Sequence, residues 1–386
     1  MKYSVISYPD LGISVEIAAI KPHAKVKELQ VIFHVTHADT SFNRQLLSIC
    51  ESVKRLLAVE LFNQAKTLFA QCFLSDPANQ QEQVLNSFTG LFTGTFCCVK
   101  QPPLDGSKIA LWIILQTDVT SGNDGMAYHE HNGYMHFYTS LNCGLTNKKF
   151  GNSYEQTLVL LEEYEDKLEV RGCTISRDCI RTWFFVRDVD LNYQGVVKAR
   201  KENFIKKGMT DGTHYIASTG IEGNVSDPNV KVLMNAYAIK GLDKGQLNFL
   251  YAKEYMNSTN EYGVTFERGV KIDFGDRRKV YISGTASIDN KGEIMFPGEI
   301  AKQVVRTWEN VDALLKEADC SMNDIIQIIV YLRDYADYPC VKKLYDQKFP
   351  EVPTIIVLAS ICRTGWLVEM ECMATKVMKN KKFRDL

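Results

Sequence analysis

A chain of 386 residues with 45 basic against 46 acidic side chains, a net charge of −1, offers no broad electrostatic footprint for nucleic acid or an anionic membrane surface. At 45% hydrophobic it can bury two or three cores, yet nowhere do about 18 apolar residues run together as a membrane span requires. The eleven cysteines are scattered through apolar runs and never form a C-x-x-C pair, so they read as free thiols of a reducing, cytoplasmic compartment, and a small molecule is the expected partner.

Taken in order, the chain writes one unit three times. The first copy predicts a strand over 31–37, then a helix whose apolar face is Leu46, Cys50, Val53 and Leu57. A strand over 65–76, a helix over 78–85 and a closing strand over 109–117 follow. The second copy is introduced by Asn132-Gly133, a two-residue hairpin signal, because both central positions of such a turn need a positive φ. Its strand over 134–141 leads to a helix carrying Tyr154, Leu158, Leu161 and Leu168, a strand over 179–188, a helix over 193–206, and strands over 214–219 and 230–239. The third copy has strands over 279–288, 325–334, 354–360 and 366–374; its helices lie over 338–347 and along Ile300, Val304, Trp308, Val311 and Leu315. Polar runs at 122–125 and 243–245 separate the copies, giving units 1–122, 123–245 and 246–386 of an α+β protein.

The last strand carries the chemistry. Glu369 and Glu371 are two apart among apolar residues, so a strand points both to one face. Facing solvent, they are ordinary surface glutamates; facing a closed interior, at least one has its pKa raised until it can donate a proton near neutral pH. The equivalent place in the second unit is Leu233, and the first closes with Ile113, Ile114 and Leu115, so one interface of three has an acid. His129, His131 and His136 beside Glu130 lack a fourth ligand at useful spacing, and no metal is expected.

The third unit resembles the YjgF or Rid (reactive-intermediate deaminase) family over 262–376. The resemblance is carried by Tyr281-Ile282-Ser283-Gly284-Thr285-Ala286-Ser287-Ile288-Asp289, Gly292-Glu293-Ile294, Gly298-Glu299-Ile300, Gln303, Glu309-Asn310-Val311, Tyr331-Leu332-Arg333-Asp334 and Leu367-Val368-Glu369-Met370-Glu371. It implies three chorismate-mutase-like units forming an intramolecular pseudo-trimer around a β-barrel-like core, with ligand pockets at the interfaces. The length, with Ala217-Ser218-Thr219-Gly220-Ile221, Arg181-Thr182-Trp183 and Ile361-Cys362-Arg363, is similar to the chorismatase branch. Two departures stand out: Thr354 occupies the start of the penultimate strand, where Rid deaminases hold an arginine, and 260–266 lacks the arginine-rich run of chorismatases.

The chorismatase resemblance implies chorismate as substrate, with Glu369 as the acid that protonates its enolpyruvyl ether; pyruvate then leaves with a hydroxybenzoate or a dihydroxycyclohexadiene carboxylate. Two substrate carboxylates call for cations, for which Arg181, Arg200, Lys342 and Arg363 are the candidates. Tyr262 and Tyr215 are candidate hydrogen-bond donors, while Ala286, Trp366 and Cys362 would form an apolar wall; a cysteine here goes with the hydroxybenzoate-forming branch. No cofactor is implied, and a built-in trimer leads to the expectation of a monomer with one active site between units two and three. The rivals are a Rid-type enamine or imine deaminase and a catalytically silent small-ligand binder.

Overall fold

The computed structural model describes residues 2–20, 26–59, 62–142 and 151–386, with the side chains of 260 and 262 left aside. The first unit contains β1 (Lys2–Tyr8), β2 (Ile13–Ile20), β3 (Glu28–Val35), α1 (Phe42–Ala58), β4 (Lys66–Leu74), α2 (Pro77–Phe88), β5 (Thr95–Lys100) and β6 (Ile109–Gln116). The second contains β7 (Thr120–Asn123), β8 (Ala127–His131), β9 (Tyr134–Asn142), α3 (Ser153–Val170), α4 (Ile175–Asp178), β10 (Cys179–Val186), α5 (Val189–Lys206), β11 (Ala217–Glu222) and β12 (Val232–Lys240). The third contains β13 (Leu247–Leu250), β14 (Gly269–Asp273), β15 (Arg277–Ala286), α6 (Ile300–Glu317), β16 (Ile325–Leu332), α7 (Tyr338–Lys348), β17 (Thr354–Leu358) and β18 (Val368–Val377).

Each unit is one six-stranded sheet, and the three share a topology: β1-β2-β3-β6-β4-β5, β7-β8-β9-β12-β10-β11 and β13-β14-β15-β18-β16-β17. In each, the edge strand runs parallel to its neighbour, so the connection needs a crossover, supplied by α2, α5 and α7. The helices form where the apolar period demands: α1 buries Leu46, Ile49, Cys50, Val53 and Leu56 against its sheet. Asn132 and Gly133 turn the β8–β9 hairpin with φ of 49° and 78°. The strands β1, β2, β5, β7, β13 and β14 escaped the sequence reading; β7 and β13 are four-residue edge strands with little apolar alternation, whereas β2 is an eight-residue interior strand that the repeat pattern passed over. The strand placed at 214–219 begins only at Ala217: the Tyr215 N–H donates to the Glu267 carboxylate, leaving it no ladder partner.

The three sheets meet around aromatic rings, with Phe69 stacked on Trp183 at 6.3 Å, Tyr138 stacked on Tyr237 at 4.3 Å and Tyr237 tilted against Tyr281 at 5.5 Å. Among the described residues the ladders stay in three separate sheets, linked by isolated bridges such as Ala217 to Glu267 and Pro103 to Val357, so the expected barrel is not closed by strand pairing. Buried ions tie units one and three: Glu28 accepts from Lys279 at 2.5 Å and from Arg277 at 2.9 Å. Among the described residues no helix is long and apolar enough to cross a membrane.

Candidate active site between the second and third units

The registers make the three closing strands comparable. Phe73 faces Ala110, Phe185 faces Leu233 and Tyr331 faces Glu369, so only the third unit has a carboxyl group at this place. Two residues further along, Trp112, Asn235 and Glu371 correspond.

Glu371 is fully engaged. It accepts from the Arg181 guanidinium at 2.9 Å, the Trp183 indole at 2.8 Å and the Thr219 hydroxyl at 2.5 Å, all from the second unit. Glu369 is equally buried, at 4% exposure, and faces a cleft of about 680 Å³ lined by Arg200, Ser218, Phe266, Arg268, Cys362 and Arg363 among others. Burial, and then the neighbouring Glu371 charge, push the Glu369 carboxyl up to about 8, outweighing the opposing pull of Arg181 and Arg268. It is therefore a neutral acid at pH 7, held beside an ion-paired twin.

Backbone chemistry makes room for it. A Cβ on Gly284 would collide with Glu369 Oε1, and the Gly284 N–H donates to Thr219 Oγ1 at 2.9 Å, so any side chain on β15 here would have to displace the acid. Gln303 of α6 clamps the preceding segment: its amide donates to the Gly365 carbonyl at 2.9 Å and accepts from the Leu367 N–H at 2.9 Å. Trp366 then donates from its indole to the Ser287 carbonyl at 3.1 Å and carries Arg363 stacked on its ring at 4.9 Å. Arg333, bound to Asp190 through paired 2.9 Å contacts and to the Ile361 carbonyl, joins this loop to the start of α5.

Of the residues singled out in the sequence, Arg200, Ala286, Cys362, Arg363 and Glu369 come together in this cleft. Arg200 is 1% exposed, on α5, reaching the Ser218 and Thr265 hydroxyls at 3.3 Å, with Phe184 and Phe266 beneath its guanidinium. Burial pushes the Cys362 thiol up to about 12, so it stands as an uncharged wall atom rather than a thiolate. Arg181 lies behind the cleft, committed to Glu371. Tyr215 is turned away: its hydroxyl donates to Asp211 at 2.5 Å and its ring stacks on Phe204. Lys342 pairs with Asp346 at 2.6 Å and lines a different cleft, between units three and one. The side chain of Tyr262 is outside the described residues. His129 meets the Ser121 hydroxyl and His136 the Tyr237 hydroxyl, while His131 faces the Asp118 carbonyl.

The residue the sequence reading missed is Arg268, 4% exposed, bonded to the Asn257 carbonyl at 3.1 Å and stacked on Phe266. The available signal was alternation: Phe266 and Arg268 are two apart just before β14, hence on one face. The place of Thr354 also changes meaning. Thr354 pairs with Ile328 as Ser218 pairs with Thr182, and Thr354 serves the cleft toward unit one. At the Glu369 cleft the corresponding residue is Ser218, with the cation supplied by Arg200 from the helix.

Comparison with known proteins places this architecture. The family model described as Endoribonuclease L-PSP matches residues 266–376. A RutC family protein of Pyrococcus abyssi is 32% identical over 99 residues, 25% of this chain and 78% of its own length. The 3-aminoacrylate deaminase of Acinetobacter baylyi is 33% identical over 72 residues, 19% of this chain and 57% of its own length. Among solved structures, a chorismatase matches 80% of this chain and 93% of its own at a TM-score of 0.62 and 16% identity, a likeness of fold.

Proposed function

Because this chain belongs to the RutC family, also called YjgF or Rid, we propose that it is a chorismatase-like enzyme that cleaves the enolpyruvyl ether of chorismate, with Glu369 as general acid. The observation that carries the reading is a buried carboxyl group, which burial and the Glu371 charge push up to about 8, at the wall of a cleft that also presents Arg200, Arg268 and Arg363. A dianion suits such a cleft, because guanidinium forks bind carboxylates in pairs. Its arrival would also raise Glu369 further, since two added negative charges disfavour ionising a third.

The chemistry follows from one proton. Glu369 gives its hydrogen to the terminal methylene of the enol ether, and the adjacent carbon becomes oxocarbenium-like. Water adds there, and the hemiketal collapses to pyruvate and the ring alcohol, returning a proton to the carboxylate. If the ring hydroxyl adds instead of water, the cyclic ketal opens by breaking that hydroxyl's ring C–O bond as the neighbouring ring carbon loses its proton, which makes the ring aromatic, and the remaining hemiketal collapses to pyruvate and a hydroxybenzoate. Ala286, Ile288 and Trp366 limit water on the acid's side, which keeps Glu369 neutral until substrate arrives.

Chorismate incubated with the protein should release pyruvate, read by lactate dehydrogenase, and Glu369→Gln should reduce the rate by about 10²–10⁴-fold. Absence of pyruvate with the parent, or an undiminished rate in the variant, overturns the assignment. The similarity to deaminases supports a second reading, hydrolysis of enamines or imines. Ammonia release from an enamine generated in the assay, without pyruvate from chorismate, would favour it.

A further inference from the structure

The pseudo-threefold repeats the active-site position once more, with the charges inverted. Between units three and one lies a cleft of about 1060 Å³ built from the same elements: α7 and β17 stand where α5 and β11 stand, and β2 and β3 replace β14 and β15. Where the Glu369 cleft presents Arg200, Arg268 and Arg363, this one presents Glu16, Asp105 and Asp346. His34 sits between two of them, 3.4 Å from Glu16 and 3.7 Å from Asp105, and Lys342 pairs with Asp346. Glu16 is oriented by the Thr354 N–H at 2.9 Å, and Asp105 by the Ser107 N–H and hydroxyl at 2.9 and 2.6 Å. Tyr338, Tyr345 and Phe349 supply an aromatic wall.

Burial draws the His34 imidazole down, but Asp105 and Glu16 outweigh it and hold it up at about 9, so it is charged at pH 7. Three carboxylates then face two cations, which leaves one negative charge uncompensated beside aromatic side chains. An ammonium ion on an apolar stem satisfies both features, by ion pairing and by contact with ring faces. An anion would meet the carboxylates first.

We propose that the cleft between the third and first units is a second small-molecule site, selective for an organic ammonium ion held by Glu16, Asp105 and the Tyr338, Tyr345 and Phe349 rings. It is independent of the reaction assigned to Glu369, and its test does not use that reaction. Phenethylamine and benzoate are titrated into the full-length protein by calorimetry. Phenethylamine should bind, the double variant E16Q/D105N should weaken it at least tenfold, and E369Q should leave it within twofold. If the double variant does not fold, the His34 ring resonances of the parent report instead, identified by their loss in H34Q, and should move on addition of phenethylamine. No binding to the parent, equal binding to E16Q/D105N, equal binding of benzoate, or unmoved His34 resonances would each overturn the site.

Discussion

Glu369 and Glu371 share a strand face but are opposite in state, and the difference should be visible in stability as well as rate. The Glu369 carboxyl is held at about 8 in the fold, above its ordinary range, so the native state binds a proton that the unfolded chain releases near 4.5. Its contribution is therefore complete below pH 4.5 and is lost as pH rises through about 8. Urea unfolding from pH 5 to pH 9 should show the parent losing stability, by at most about 1.4 kcal/mol per pH unit from this one group, with Glu369→Gln flatter over the same window. Equal slopes in the two proteins would mean that Glu369 is ionised in the fold. The rate should behave in parallel: pyruvate release falls above about pH 8, because the ionised acid has no proton to give. Gly284→Ala tests the geometry separately. The added methyl would collide with Glu369 Oε1, so the carboxyl must move, and a rate loss of at least about tenfold is expected with little change in unfolding midpoint beyond about 1–3 kcal/mol of overpacking.

At the scale of elements, the α6 clamp should matter more than its distance from the chemistry suggests. Gln303 is fully buried and satisfies both the Gly365 carbonyl and the Leu367 N–H. Gln303→Ala leaves those groups unmet, costing about 1–3 kcal/mol, and should loosen the Trp366 wall, so chorismate KM rises in pyruvate-release kinetics; unchanged stability and KM would show that the segment holds itself. The α6 period was legible in Ile300, Val304 and Val311, as was the shared face of Glu369 and Glu371 in β18. That Glu369 is the acid came from the family resemblance and not from the spacing, because the groups that engage Glu371, Arg181, Trp183 and Thr219, lie more than 150 residues away in sequence. Lys342 was misplaced for a related reason. In a ring of three, each unit's crossover helix faces the next unit, so α7 serves the cleft toward unit one and α5 serves Glu369.

At the scale of the whole molecule, unit one is attached through charge as well as packing. Glu28 lies on β3 of the first unit with no exposed surface, and its partners Lys279 and Arg277 open β15 of the third. Burial raises its carboxyl, but Lys279 and then Arg277 hold it down at about 2, so the pairing stabilises the fold above the unfolded range near 4.5 and is lost as pH falls through about 2. Removing one partner of such a cluster strands the others in a medium that cannot solvate them. Glu28→Ala should thus cost about 3–5 kcal/mol in urea unfolding at pH 7. Replacing the set together, as Glu28→Met with Lys279→Met and Arg277→Met, removes the desolvation penalty along with the attraction and should recover much of that loss, although Asp276 then keeps an unpaired charge at the former Arg277 contact. If the single variant unfolds like the parent, the ions contribute nothing to joining the units. The Pro103–Val357 bridge and the buried apolar packing would then hold unit one to unit three without help from charge.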